Sequence, residues 1–211
     1  MQNRDALYEI MTGQAVIPVI VIDDADDAVP LARALVAGGL PAIEITLRTE
    51  AALPAIEQIA QQVPDAIVGA GTVLNGKQYE QVVSAGARFA VSPGFTREIA
   101  AAALGSAVPL LPGSTTASEV MRAIELGYSL LKFFPAEQSG GAPFLKSLAS
   151  PFGGVHFCPT GGVSVDNAID YLSLPNVLCV GGSWVAPKAD VTAGNWDKIT
   201  ELAKGAAALK G

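Results

Sequence analysis

Lys132 lies inside Gly127-Tyr128-Ser129-Leu130-Leu131-Lys132-Phe133-Phe134-Pro135, a run otherwise apolar enough to be a buried strand. Burying an ammonium costs several kcal/mol unless it is paired or gives up its proton. Desolvation favours the neutral amine, and a neutral amine adds to a ketone to form a Schiff base. This segment leaves a second possibility open: an edge strand whose lysine faces water and guards against aggregation. Glu44 repeats the problem within Ala42-Ile43-Glu44-Ile45-Thr46-Leu47-Arg48. Two isolated charges of opposite sign in apolar strands suggest one shared site. It could be a nucleophilic amine with a proton-carrying carboxylate, or a structural ion pair.

Other candidate groups cluster where strands end. Arg48 closes the segment that carries Glu44. Thr72 follows Val68-Gly69-Ala70-Gly71, a stretch that fails as a dinucleotide fingerprint because Leu74 stands where the third glycine is needed. A phosphate-loop reading of the 71–77 stretch fails too, since Gln78 replaces the hydroxyl that would bind magnesium. Thr72 is then either a hydroxyl lining the site or an ordinary strand threonine. Two loops, Thr160-Gly161-Gly162-Val163-Ser164 and Gly181-Gly182-Ser183, pair glycines after the last two strand-like runs. Paired glycines let backbone N–H groups approach an oxyanion, and parallel barrels often hold phosphate at these two positions.

Bulk properties narrow the setting. The chain has 211 residues, is half apolar and only 6% aromatic, and suits parallel strands buried on both faces. A formal net charge of −7 argues against nucleic acid, so an anionic ligand must be held by local donors. Cys158 and Cys179 read as small core residues, and His156, the sole histidine, as structural, because no metal-ligand spacing accompanies them. The N-terminus lacks a signal-peptide pattern, and the apolar run 15–22 is far short of the ~20 residues of a membrane span. A soluble cytoplasmic protein without membrane partners is expected.

These groups need elements to position them. Eight apolar runs recur, at 16–22, 42–47, 67–73, 89–92, 108–111, 130–134, 156–159 and 177–180, separated by segments with helical spacing. Gly39, Gly86 and Gly127 each close a helical segment five residues before Glu44, Val91 and Lys132. Thr116-Ala117-Ser118-Glu119 reads as a capping box. Ser92-Pro93-Gly94, Leu111-Pro112-Gly113 and Thr160-Gly161-Gly162 read as exits from the sheet. The expected fold is α/β: one domain over 1–211, a single-domain (β/α)8 TIM barrel with an extra N-terminal helix over 2–12 and a last helix over 195–209. The rival is an open doubly wound sheet.

With these residues collected, the chain resembles the 2-keto-3-deoxy-6-phosphogluconate (KDPG) aldolase family, whose members often also cleave 4-hydroxy-2-oxoglutarate. Two motifs carry the resemblance: Gly39-Leu40-Pro41-Ala42-Ile43-Glu44-Ile45-Thr46-Leu47-Arg48, and the run from Gly127 through Lys132-Phe133-Phe134-Pro135-Ala136-Glu137 to Gly140. The resemblance implies a class I aldolase that needs no metal or other cofactor, with Lys132 as the Schiff-base lysine and Glu44 as proton shuttle. It also implies that Arg48 and Thr72 hold the pyruvate carboxylate and that Pro93 and Phe134 form apolar walls. Thr160 would contact substrate near C4, and Gly161, Gly162, Gly181, Gly182 and Ser183 would take the phosphate. A phosphorylated 2-keto acid of the Entner-Doudoroff pathway as substrate and a homotrimer are implied in the same way. The alternatives are a galactonate-specific aldolase, another phosphate-binding barrel enzyme, and a non-catalytic phosphosugar-binding barrel.

Overall fold

A computed structural model describes residues 4–209. Helix α1 (Arg4–Thr12) precedes strand β1 (Val16–Ile20), and the chain then alternates helix and strand. The strands that follow are β2 (Ala42–Thr46), β3 (Ile67–Gly71), β4 (Ala90–Val91), β5 (Leu110–Leu111), β6 (Gly113–Ser114), β7 (Leu130–Phe133), β8 (His156–Pro159) and β9 (Val180–Gly182). The helices are α2 (Ala28–Ala37), α3 (Ala52–Gln62), α4 (Gly76–Ser84), α5 (Arg97–Ala103), α6 (Ala117–Glu125), α7 (Gly141–Leu148), α8 (Ala168–Leu172), α9 (Lys188–Thr192) and α10 (Trp196–Ala207).

Each strand pairs in parallel, in two arcs: β5-β4-β3-β2-β1-β9 and β6-β7-β8. At one junction Pro112 separates β5 from β6, and its carbonyl accepts from Lys132 N–H at 2.8 Å. At the other, β8 reaches the last strand through the bridges Phe157 to Val177 and Thr160 to Gly181. The result is a curled parallel sheet wrapped by helices.

Alternation along the strands sorts side chains into two cores. Ile43 and Ile45 on β2 face outward and pack with Leu31, Leu35, Ile56 and Ile59 of the helical layer. Inward-facing Ile17, Phe89, Leu111, Leu130, Cys158 and Cys179 form a second cluster inside the curl. Leu7 and Met11 of α1 join that inner cluster, so the first helix packs across the N-terminal ends of the strands. Tyr8 fixes it there: its hydroxyl donates to the Ser129 carbonyl at 3.1 Å and meets His156 Nδ1 at 3.0 Å. His156 is thus part of the floor of the structure. Cys158 and Cys179 are buried thiols of the inner core.

Several sequence expectations shift. The strand expected at 108–111 is observed only as β5 over Leu110–Leu111, and beyond Pro112, which has no N–H to offer the ladder, a separate short strand β6 follows. Leu111-Pro112-Gly113 is therefore an interruption, since the chain resumes as β6. The last strand lies at Val180–Gly182 instead of 177–180, with Val177 making only an isolated bridge. The expected first helix began at residue 2, and its first two positions lie outside the described residues. Gly39, Gly86 and Gly127 have φ of 88°, 90° and 85°, the left-handed backbone that a helix-ending glycine supplies at low cost. Thr116 and Glu119 form the reciprocal capping box at the start of α6.

Candidate active site

Glu44 is the third residue of β2 and Lys132 the third of β7, and alternation points both into the curl. Their side chains meet there, with Lys132 Nζ 3.3 Å from Glu44 Oε1 and side-chain exposures of 5% and 4%. The carboxylate fits because β3 carries no side chain beside it: a Cβ at Gly71 would overlap Glu44 Oε1 and its neighbouring carbons. Gly113, the register partner of Lys132, likewise lets the backbone of Pro93 pack closely. Phe134 places its ring 5.2 Å from Nζ, a cation–π distance when the amine is protonated.

Arg48 and Thr72 leave the adjacent C-terminal ends of β2 and β3, and Arg48 Nε donates to Thr72 Oγ1 at 3.3 Å. Thr72 adopts φ 58°, a left-handed conformation that is strained for a β-branched residue. Its backbone turns the hydroxyl toward the arginine. The pair is open to solvent and offers a guanidinium and a hydroxyl to a carboxylate. Neither Arg48 nor Thr72 bonds to Lys132 or Glu44.

The 160–162 loop reaches the lysine through Phe134, since a Cβ at Gly161 would stand 3.3 Å from that ring. Thr160 is 6% exposed, and Gly181 leaves room for it on the neighbouring strand, where a Cβ would overlap Thr160 Oγ1. Gly182 is excluded from carrying a side chain by the Trp184 indole. Gly181 and Gly182 are thus required sterically by the protein's own side chains, a reason distinct from ligand approach. Ser183 follows them and is exposed. Sequence reading did not single out Gly71 as the seat of Glu44, or Asn167 and Tyr171 behind the 161–162 loop. The Ser164-x-x-Asn167 spacing is a turn signal that points to the second of these.

An amine held against a carboxylate inside an apolar curl, with a guanidinium and glycine loops at neighbouring strand ends, has the groups that a Schiff-base reaction on an anionic carbonyl compound requires. The family model described as KDPG and KHG aldolase matches residues 7–202, and the chain belongs to that family. A 2-dehydro-3-deoxy-phosphogluconate aldolase of Pseudoalteromonas atlantica is 54% identical, over 95% of this chain and 93% of its own. The structure of the KDPG aldolase of Legionella pneumophila, with pyruvate captured as a covalent carbinolamine, superposes with a TM-score of 0.93 at 48% identity, covering 95% of this chain and 97% of that one. The Zymomonas mobilis enzyme with 3-phosphoglycerate gives 0.91 at 51% identity, covering 98% and 97%.

Proposed function

We propose that this chain is a class I aldolase that cleaves 2-dehydro-3-deoxy-6-phosphogluconate to pyruvate and D-glyceraldehyde 3-phosphate, and also 4-hydroxy-2-oxoglutarate to pyruvate and glyoxylate. The observation that carries the reading is the buried 3.3 Å pair of Lys132 Nζ and Glu44 Oε1. Neutral Lys132 adds to the C2 ketone, giving a carbinolamine, and loss of water leaves an iminium. Glu44 takes the proton of the C4 hydroxyl. The C3–C4 bond then breaks, its electron pair passing into the iminium to leave an enamine, and the aldehyde departs. Protonation of the enamine carbon and hydrolysis release pyruvate and restore the amine. Arg48 with Thr72 orients the C1 carboxylate, Pro93 and Phe134 exclude water, Thr160 faces C4, and the 161–162 and 181–183 loops receive the phosphate.

The reading extends to architecture and assembly. The two bridges between β8 and β9 support a closed eight-stranded barrel in one domain, with β5 and β6 as one interrupted strand and α1 as an addition to the repeat. Exposed Met121 and Ile124, at 55% and 43%, lie three residues apart on one face of α6 and support burial between copies of the chain in a homotrimer. Family resemblance supports a cytoplasmic enzyme of the Entner-Doudoroff pathway.

Incubation with pyruvate and borohydride, followed by peptide mapping, tests the mechanism. Reduction should fix one pyruvate on Lys132 alone among the seven lysines, and Lys132→Arg should lose both label and turnover because a guanidinium stays protonated. Label on Lys77, Lys146 or Lys188 instead overturns the assignment. Chelator should leave turnover unchanged.

A further inference from the structure

We infer that Asn167 is a positioning residue for the phosphate end of the substrate, acting through the orientation of the 161–163 backbone. The inference rests on the proposed aldolase reading and deepens it.

Three successive carbonyls of this loop are tied down by hydrogen bonds. Ala136 N–H donates to Thr160 O at 2.8 Å and Glu137 N–H to Gly161 O at 3.0 Å. The third, Gly162 O, has no such backbone donor and is taken by the Asn167 side chain, Nδ2 to O at 3.1 Å. The same amide closes the other end of the loop, its Oδ1 accepting from Ser164 N–H at 2.8 Å. Asn167 thus spans the loop from Gly162 to Ser164. A peptide plane whose carbonyl is held on one side presents its N–H on the other. Among the described residues, no acceptor within hydrogen-bond distance meets the N–H groups of Gly162 and Val163. Two adjacent, outward-held donors are what an oxyanion requires.

The loop is also propped from behind. Gly162 has φ 77°, and a Cβ there would stand 2.6 Å from Glu137 Cγ, so the glutamate side chain lies against the loop. Glu137 is itself fixed by the hydroxyl of the fully buried Tyr171, which donates to its Oε1. Burial first, and then the Glu137 carboxylate, hold the Tyr171 phenol above its ordinary range, so it remains a donor at any working pH. A carboxylate so close to a phosphate loop would repel the ligand if it turned forward. Tyr171 engages it from behind.

Inhibition by 3-phosphoglycerate, compared with unphosphorylated glycerate, reads the phosphate contribution directly. Wild type should bind 3-phosphoglycerate far better than glycerate. Asn167→Ala should reduce that preference by about tenfold, the order of one charge-assisted hydrogen-bond set, while pyruvate trapping by borohydride and cleavage of 4-hydroxy-2-oxoglutarate change less than about threefold. Asn167→Asp keeps the acceptor for Ser164 but not the donor to Gly162, and should lose the preference as Asn167→Ala does. It carries the test if the alanine variant does not fold. If wild type shows the preference and both variants keep it, the positioning role is wrong and the phosphate loop stands. If wild type shows no preference, the phosphate reading itself fails. A loss of activity equal on both substrates would mean that Asn167 only stabilises the fold.

Discussion

Gly71 and Glu44 occupy neighbouring strands, and the glycine leaves open the space that the carboxylate fills. The position of the Glu44 carboxylate beside Lys132 therefore depends on a missing side chain that is distant in sequence but sits on the adjacent strand. Gly71→Ala should push Glu44 off Nζ and lower turnover by about 10²-fold, similar to Glu44→Gln, since positioned proton transfer contributes on that order. Overpacking should also cost about 1–3 kcal/mol of stability. Steady-state kinetics and denaturant unfolding of both variants check this, and wild-type turnover in Gly71→Ala would contradict it.

Thr72→Gly should separate stability from binding. Glycine adopts φ near 58° freely, so relief of strain should leave the protein equally stable or more stable by about 1 kcal/mol. Loss of the hydroxyl that meets Arg48 should raise the KM for both keto acid substrates. Measured destabilisation with unchanged KM would show that Thr72 serves the fold alone.

Ser183→Ala should weaken phosphorylated substrate more than 4-hydroxy-2-oxoglutarate, because the exposed hydroxyl offers a donor only at the distal end. The two C4 epimers, compared on wild type, check the role given to Thr160. Preference for the galactonate epimer would reverse the substrate assignment and leave the lysine mechanism intact.

Stability should vary with pH through the cap of α6. Burial raises the Glu119 carboxyl, but hydrogen bonds from Thr115 and Thr116, with the Arg122 charge, outweigh it and hold the group below its ordinary 4.5. A depressed carboxyl contributes stability above the unfolded value and loses it as pH falls through the folded one. Glu119→Ala should therefore lower stability at pH 7 by less than about 1 kcal/mol, the exposed carboxylate being screened by solvent, with the gap to wild type closing in acid below the ordinary carboxylate range. Urea unfolding at both pH values measures it; a gap independent of pH would exclude the charged cap.

What could be read from sequence was set by contrast. Lys132 and Glu44 stood out because each breaks an apolar alternation, and Gly39, Gly86 and Gly127 because helices must stop before strands begin. β9 was misplaced for the opposite reason: Gly181 and Gly182 present no side-chain pattern, and their strand is defined by what packs against them, Thr160 and Trp184. The division at Pro112 follows from a missing N–H, which sequence reading took as an exit. Asn167 is legible only as the end of a Ser-x-x-Asn turn; which carbonyl its amide holds is not, because a backbone partner leaves no trace in residue types.

Helix α1, with Met11 fully buried against Cys179 and Tyr8 locked to the floor, covers the N-terminal end of the curled sheet. In the proposed mechanism the substrate then approaches Lys132 from the opposite end, where Arg48, Thr72 and the glycine loops lie. In that mechanism both products leave the way the substrate came, the aldehyde at C3–C4 cleavage and the pyruvate only after water has freed it from the amine. Helix α1 is thus the stopper that leaves the proposed site a single working face.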